Sequence, residues 1–532
     1  MFLLSRELKA EWGNFKMKYR IGIDVGGTNT DAVILDENLT PVVKTKTPTT
    51  LDVSSGIYKA LLEVLKMSSV PREDIKYAML GTTHCTNAIV ERKRLNKVGI
   101  IRIGYPATTA IKPMTGWPEE LKEAIGNFSY IVKGGFEFNG NEISTLDKKY
   151  LRKIASEIKG KVNSIEITSV FSPVSNQHEI KAAEIFKEEM PDVPVSLSSE
   201  IGSIGFLERE NANILNASLV DVAKTTVKGF IKALKNENID CQVYIGQNDG
   251  TLMSVDYAMK YPIFTIACGP TNSLRGASYL AKQKNALVVD VGGTTTDIGV
   301  LVNGFPRESS TAVEIGGVRT NFRMPDLVSI GLGGGTVIRK SGNKVSIGPD
   351  SVGYKLTEKA MCFGGDTLTA SDIATLLGVA KIGHDKKING VHLNMAEEVY
   401  KRMIIMAESA IDRIKTNAND MKVVLVGGGS VLLPDKLSGA SEVIRPDYFD
   451  VANAIGAAIA QISGQVEKIF ILDKIGREEA IKEAKNMAIE QAIKAGADPE
   501  SIEIVDIDDV PLAYIPGNAT RIRVKAAGNL LK

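Results

Sequence analysis

Two short segments put an aspartate just before a glycine pair and a second aspartate just after a polar run. They are Asp24-Val25-Gly26-Gly27-Thr28-Asn29-Thr30-Asp31 and Asp290-Val291-Gly292-Gly293-Thr294-Thr295-Thr296-Asp297. Paired glycines let backbone N–H groups approach an anion with no Cβ in the way. Thr28, Asn29 and Thr30, and in the second copy Thr294 and Thr295, add hydroxyl and amide groups. Asp24 and Asp290 would repel a bare phosphate. They make sense as ligands, direct or through water, of a Mg²⁺ ion that accompanies it. Asp31 and Asp297 read equally as carboxylates bracing a turn and as further metal ligands, so Asp297 joins Asp24 and Asp290 as a metal candidate. A third cluster, Gly427-Gly428-Gly429, follows the apolar run 421–426. A strand running into such a turn lets backbone pack against a flat base, as an adenosine site needs.

These clusters need elements that hold them in place. Residues 23–35 and 289–301 agree at eight of thirteen positions, at an offset of 266. That spacing is far beyond a solenoid period of about 20–50 residues. It points to two large halves, each opening with the same β-hairpin closed by a glycine turn. In the first half, strands are expected at 19–25, 31–36, 41–46, 75–80, 98–103, 165–170 and 193–198. Helices are expected near 53–67, 86–94 and 176–190. Residues 108–140 read as irregular, either a lid or specificity insertion or an ordered surface loop. A long helix over 208–236 connects the halves. The second half has helices at 367–377 and 396–416, and a small apolar segment at 450–462 that packs under the nucleotide turn. The stretch 465–532 reads β-α-β-β, a small α+β appendage in ferredoxin-like style. The fold class is therefore α/β. The divisions are 1–18 as an extension, 19–200, 201–464 and 465–532, with Met17 an alternative start.

Composition narrows the function. The 532 residues carry 64 Lys+Arg against 63 Asp+Glu, so no basic field exists for a nucleic acid. No apolar run reaches the roughly 18 residues of a membrane span, and Met1–Leu4 is too short for a signal peptide. Cys85, Cys241, Cys268 and Cys362 form no CxxC and read as reduced thiols of a cytoplasmic protein. His178, His384 and His392 show no metal spacing.

Two such hairpins followed by a glycine-rich turn resemble the actin/Hsp70/sugar-kinase ATPase superfamily. More closely, the chain resembles the hydantoinase A/5-oxoprolinase family. The resemblance rests on MKYRIGIDVGGTNTDAV (17–33), GTTHCTNAIVERK (81–93), LERENANILNASL (207–219), CGPTNSLRGASYLA (268–281), PDLVSIGLGGGT (325–336) and FGGDTLTASDIATLLG (363–378). It implies two actin-like (ribonuclease H-like) halves around a nucleotide cleft, with ATP and Mg²⁺ as cofactors. It also implies phosphorylation of a cyclic amide at its oxygen, so that water opens the ring. On this reading Asp24 and Asp290 hold Mg²⁺ and position the nucleophile, Gly26, Gly27, Gly292 and Gly293 hold the phosphates with Thr28, Thr294 and Thr295 assisting, and Gly427–Gly429 hold the adenosine. Thr82, Thr83, His84 and Asn87 face the acceptor. His84 reads either as an acid or base or as a structural loop histidine. Two other classes stay open: the ATP-using subunit of an acetone- or acetophenone-type carboxylase, and a nucleotide-dependent conformational switch. The resemblance further implies a second hydantoinase-type subunit and an oligomer.

Overall fold

A computed structural model describes residues 18–531 except 51–52, 310–311, 342–343, 417 and 514. Apart from Lys18, the N-terminal extension lies outside the described residues. Among the described residues the largest sheet has nine strands. Their spatial order is Glu503–Pro511, Ala519–Gly528, Ile462–Ile471, Leu252–Ser254, Gln242–Gly246, Ile75–Thr82, Tyr19–Val25, Asn29–Leu35 and Pro41–Pro48. A six-stranded sheet is built on Ala286–Val291 and Thr296–Val302, with Met421–Val426 and Ala440–Ile444 on one side. Both sheets share one wiring. The leading hairpin strand is antiparallel to its partner and parallel to the next strand inward, Ile75–Thr82 in one and Met421–Val426 in the other. The sequence repeat is thus a structural repeat, and the architecture is α/β with two actin-like halves.

Helices cover both faces of the first sheet around its hairpin, so Tyr19–Val25, Asn29–Leu35 and Ile75–Thr82 are buried almost throughout instead of alternating with solvent. Along Asn29–Leu35 the two-residue period still divides the packing. Ala32 and Ile34 meet Ile57 and Leu61 of helix Val53–Lys66. Val33 and Leu35 meet Ile455 and Ala458 of helix Ala452–Ile459. That short helix crosses helix Cys268–Ala281 at very close range. A Cβ on Gly276 would strike the Ala452 carbonyl, and one on Gly456 would strike the Asn272 carbonyl. The two glycines bring the backbones together, with helix Ala452–Ile459 behind the first hairpin and helix Cys268–Ala281 against the second sheet.

A third sheet has four parallel strands: Phe128–Lys133, Val98–Tyr105, Ser164–Ser169 and Val195–Leu197. Its edge strand comes from the stretch read as irregular, which also holds helix Glu119–Ile125. Leu121 and Ile125, four apart, form that helix's buried stripe, and Glu119 and Glu120 suit its N-terminus. The connector is Phe206–Asn236, close to its expected span. It carries a buried ion pair, Arg102 Nε to Glu210 Oε1 at 2.7 Å, into the third sheet.

The tail is β-α-β-β, as read. Ala480, Ala484, Ala488 and Ala492 recur every four residues along Arg477–Lys494 and lie fully buried. Ala480, Ala484 and Ala488 press on Val466, Ile522 and Val524. The tail's strands are not a separate sheet, because Leu252 pairs with Ile462 and makes them continuous with the first sheet. Cys85, Cys268 and Cys362 are buried, Cys241 is half-buried, and all four are free thiols. Among the described residues no helix is long and apolar enough to cross a membrane.

Candidate functional site

Strand register places the acidic groups. Asp24 stands opposite Asp31 in the first hairpin, and Asp290 opposite Asp297 in the second. Opposed residues of an antiparallel pair share a face, so each hairpin presents two carboxylates on one side. The turns are closed alike, by Gly26 N–H to Asn29 O at 3.0 Å and Gly292 N–H to Thr295 O at 2.9 Å. Their tips meet across a cleft of about 740 Å³, with the Thr28 and Thr294 Oγ1 atoms 3.5 Å apart.

Most of the predicted residues line this cleft. From the first hairpin come Asp24, Gly26, Gly27, Thr28 and Asn29. From the second come Asp290, Gly292, Gly293, Thr294, Thr295 and Asp297. Gly427, Gly428 and Gly429 line it too, as do Thr83 and Asn87. Gly427 has φ +85°, and a Cβ there would collide with Asp290 and the Val291 carbonyl. Gly429 N–H donates to Val291 O at 2.8 Å, which ties this turn to the second hairpin.

Three expected residues lie elsewhere. Thr30 is fully buried on the far side of its hairpin, 3.4 Å from Thr49 Oγ1. Thr82 and His84 are turned away from the acceptor side that they were expected to face. Side chains alternate at the end of a strand, so Thr83 enters the cleft while Thr82 points behind it. His84 opens the following helix, hydrogen-bonds Thr82 through Nδ1, and lines a small apolar hollow with Leu80, Cys85 and Val227.

The residues that orient the carboxylates carry no local signal in the sequence. Asn272 Nδ2 donates to Asp24 Oδ1 at 2.9 Å, and Asn453 Nδ2 donates to Asp24 Oδ2 at 3.0 Å. Asn453 also donates to Asp31 Oδ2 at 2.8 Å. Both asparagines come from the two helices that cross at Gly276 and Gly456. Lys46, on the third strand of the first half, lies 2.5 Å from Asp31 Oδ1. Only their position in the folded chain marks these three residues.

Burial pushes the Asp24 carboxyl up to about 6, against the hydrogen bond from Asn272 and with the neighbouring Asp31 adding to the rise. It pushes Asp290 up to about 7, against a hydrogen bond from Ser273, with Asp297 and Asp24 adding to the rise. Asp297 is also raised by burial. Among the described residues no three His, Cys, Asp or Glu side chains form a preformed metal cage. This donor set fits Mg²⁺, which takes one or two carboxylates and completes its shell with water and phosphate oxygens.

A pH dependence follows. Unfolded, these aspartates titrate near pH 4. Folded, they hold their protons to about pH 6 and 7. Between those limits the folded state binds more protons, so metal-free stability falls as pH rises through this window. A Mg²⁺ ion held by these carboxylates would bind the ionised form, and its stabilising effect would grow over the same window. The melting temperature is expected to rise more on Mg²⁺ addition at pH 8 than at pH 5. Equal gains at both pH values would remove these carboxylates as ligands.

The cleft has two chemically different ends. Beside Gly427–Gly429 stand Gly334, Leu356, Ser371, Ile382 and Leu432. Beside helix His84–Glu91 stand Thr83, Thr86, Asn87, Val90, Ile266 and Ile315. The structural repeat relates these ends, because Asp24 pairs with Gly81 in register and Asp290 with Val426. In each half the segment after that inner strand forms one end wall.

Residues 20–190 match the hydantoinase/oxoprolinase N-terminal region, and residues 209–386 match the hydantoinase/oxoprolinase domain that follows it. Protein MJ0964 of Methanocaldococcus jannaschii is 27% identical, over 93% of this chain and 80% of its own length. The acetophenone carboxylase gamma subunit of Aromatoleum aromaticum is 26% identical over 67% of this chain, which spans only 53% of that subunit. The crystal structure of the ATP-dependent caprolactamase from Pseudomonas jessenii superposes with a TM-score of 0.73 at 17% identity. That match covers 96% of this chain and 88% of the caprolactamase chain.

Proposed function

Since the chain belongs to the hydantoinase/oxoprolinase family, we propose that it is the ATP-using component of an enzyme that opens cyclic amides. The observation that carries this reading is the meeting of two glycine hairpins, tips 3.5 Å apart, each with a carboxylate pair beneath it. With the Gly26 and Gly292 N–H groups closing the two turns, the backbone N–H groups of Gly27 and Thr28 and of Gly293 and Thr294 hold the β- and γ-phosphates, and Lys46 adds positive charge beside them. Asp24 and Asp290 take the Mg²⁺. Gly427–Gly429 receive the adenosine against the apolar wall of Leu356, Ile382 and Leu432. Thr83 and Asn87 orient the ring amide at the other end, holding its oxygen in line with the transferable group.

A ring amide is a poor electrophile. ATP supplies a phosphoryl group to the amide oxygen as the ring nitrogen gives up its proton, which yields an imidate phosphate and ADP. Water adds to the ring carbon, the C–N bond breaks with the nitrogen leaving as the protonated amine, and the acyl phosphate so formed is hydrolysed to a carboxylate and phosphate. The chain contributes orientation and charge compensation, and the similarity to a caprolactamase named as ATP-dependent supports the lactam class. The similarity to a carboxylase gamma subunit favours a second reading. There the same cleft would activate bicarbonate or an enolate for carboxylation. The word subunit in that name also supports a separately encoded partner for this chain.

The test measures ADP and phosphate release with Mg²⁺-ATP, for the chain alone and with its separately encoded partner, on a panel of lactams and hydantoins. Release that depends on a ring amide is the expected result. Release that needs bicarbonate and a ketone would move the assignment to the carboxylase. Slow turnover indifferent to every substrate would leave only a nucleotide-driven switch.

A further inference from the structure

The charge on the cleft wall is one-sided. Among the described residues the wall carries six carboxylates, Asp24, Asp31, Asp290, Asp297, Glu314 and Asp450, and one cation, Lys46. Lys46 is already engaged by Asp31 at 2.5 Å. At the end beside helix His84–Glu91 the wall is formed by Val90, Ile266, Pro270, Ile315 and Met324, with Thr83, Thr86 and Asn87 as neutral polar groups. The charged group there is Glu314, exposed on the hairpin of Val313–Ile315 and Val318–Thr320. Packing fixes this hairpin against the helix, because a Cβ on Gly316 would meet Ile89 at 2.6 Å. Among the described residues no arginine lines this end, and those nearby sit beside other carboxylates. Arg319, opposite Glu314, reaches Glu208 at 3.5 Å. Arg92 lies 3.9 Å from Glu120. Arg323 pairs with Glu308 at 2.5 Å and with Glu467 at 3.6 Å.

We propose that this end of the cleft selects an uncharged ring amide and rejects one bearing a carboxylate, with Glu314 as the specificity-determining residue. The proposal rests on the ring-amide reading above and narrows it. A substrate carboxylate would lose water against apolar side chains and find no cation in return. It would also enter beside Glu314, where like charges repel. A neutral lactam or hydantoin loses little by the same transfer, and Thr83, Thr86 and Asn87 offer it hydrogen bonds. The structure therefore sets simple lactams apart from 5-oxoproline, whose ring is similar but carries a carboxylate.

The experiment measures binding by calorimetry to the full chain loaded with Mg²⁺ and a non-hydrolysable ATP analogue. One matched pair is 5-oxoprolinamide and 5-oxoproline, and a second is acetophenone and 4-acetylbenzoate. The neutral member is expected to bind at least about tenfold tighter than the carboxylate. Glu314→Lys is expected to narrow that gap about tenfold by admitting the carboxylate, and its exposed position keeps the fold intact. Equal or tighter binding of 5-oxoproline, or a gap that Glu314→Lys leaves unmoved, overturns the proposal. If only the ketone pair binds and shows the discrimination, the ring-amide reading falls and the charge rule stands for the ketone. If neither pair binds, both fall.

Discussion

Asp24→Asn is expected to lower ATP turnover by at least about a thousandfold, with the far-ultraviolet circular dichroism unchanged. Both carboxylate oxygens are fixed by amide donors, from Asn272 at 2.9 Å and Asn453 at 3.0 Å. The group is thus held in one orientation before any metal arrives. An asparagine at 24 keeps one acceptor oxygen and turns a second donor toward an existing donor. It also removes the negative charge that a magnesium ion requires. The fold survives, because the change removes a buried charge that stands beside Asp31. Metal-free Asp24→Asn should accordingly melt close to the parent protein at pH 8, and Mg²⁺ should stabilise it less. Full activity in this variant would exclude Asp24 from the metal site.

Lys46→Ala is expected to reduce kcat/KM for ATP by about a hundredfold. Among the described residues Lys46 is the cation on the cleft wall, and it influences both Asp24 and Asp290. Its loss leaves four aspartates to face the triphosphate with only the metal to offset them. Asp31 also loses its ion pair and competes with Asp24 for the amide of Asn453. Lys46→Arg keeps the charge and should recover part of the rate. Unaltered ATP kinetics in Lys46→Ala would show that the lysine serves only to hold Asp31.

Both hairpins were legible in the sequence because their chemistry is local. The aspartate, the turn and the closing aspartate all lie within eight residues, and the second copy repeats the pattern. The Phe206–Asn236 helix was legible through its length and periodicity. Asn272, Asn453 and Lys46 were not: Asn272 lies in the stretch 268–281 but nothing local there marks its reach to Asp24, and Asn453 and Lys46 belong to no motif of their own. Helix Cys268–Ala281 was masked by Gly269, Pro270 and Gly276. The proline sits in the first turn, where helices tolerate it, and Gly276 is set by the crossing with Gly456. The strand Phe128–Lys133 was hidden in a stretch rich in turn residues. Thr82 and His84 show the limit of a correct local reading. Their motif sits where expected, at a strand end and a helix start, yet alternation turns these two side chains away from the acceptor.

The first sheet also sets the order of assembly. Its hairpin of residues 19–35 lies toward one edge, while the strands beyond Ile75–Thr82 come from 242–254 and 462–528. The pairing of Leu252 with Ile462, and the helix Ala452–Ile459 behind the hairpin, close loops of hundreds of residues. Such contacts are slow to find, since the entropy of closing the chain is lost before the contacts form. On a ribosome the first hairpin and helix Val53–Lys66 would emerge long before helix Ala452–Ile459, leaving the strand face of Val33 and Leu35 open through most of synthesis. Chain cleavage near residue 200 would separate Asp24 from both asparagines that hold it. The cleft thus takes its final form only when helix Ala452–Ile459 and its Asn453 have joined the hairpin of residues 19–35.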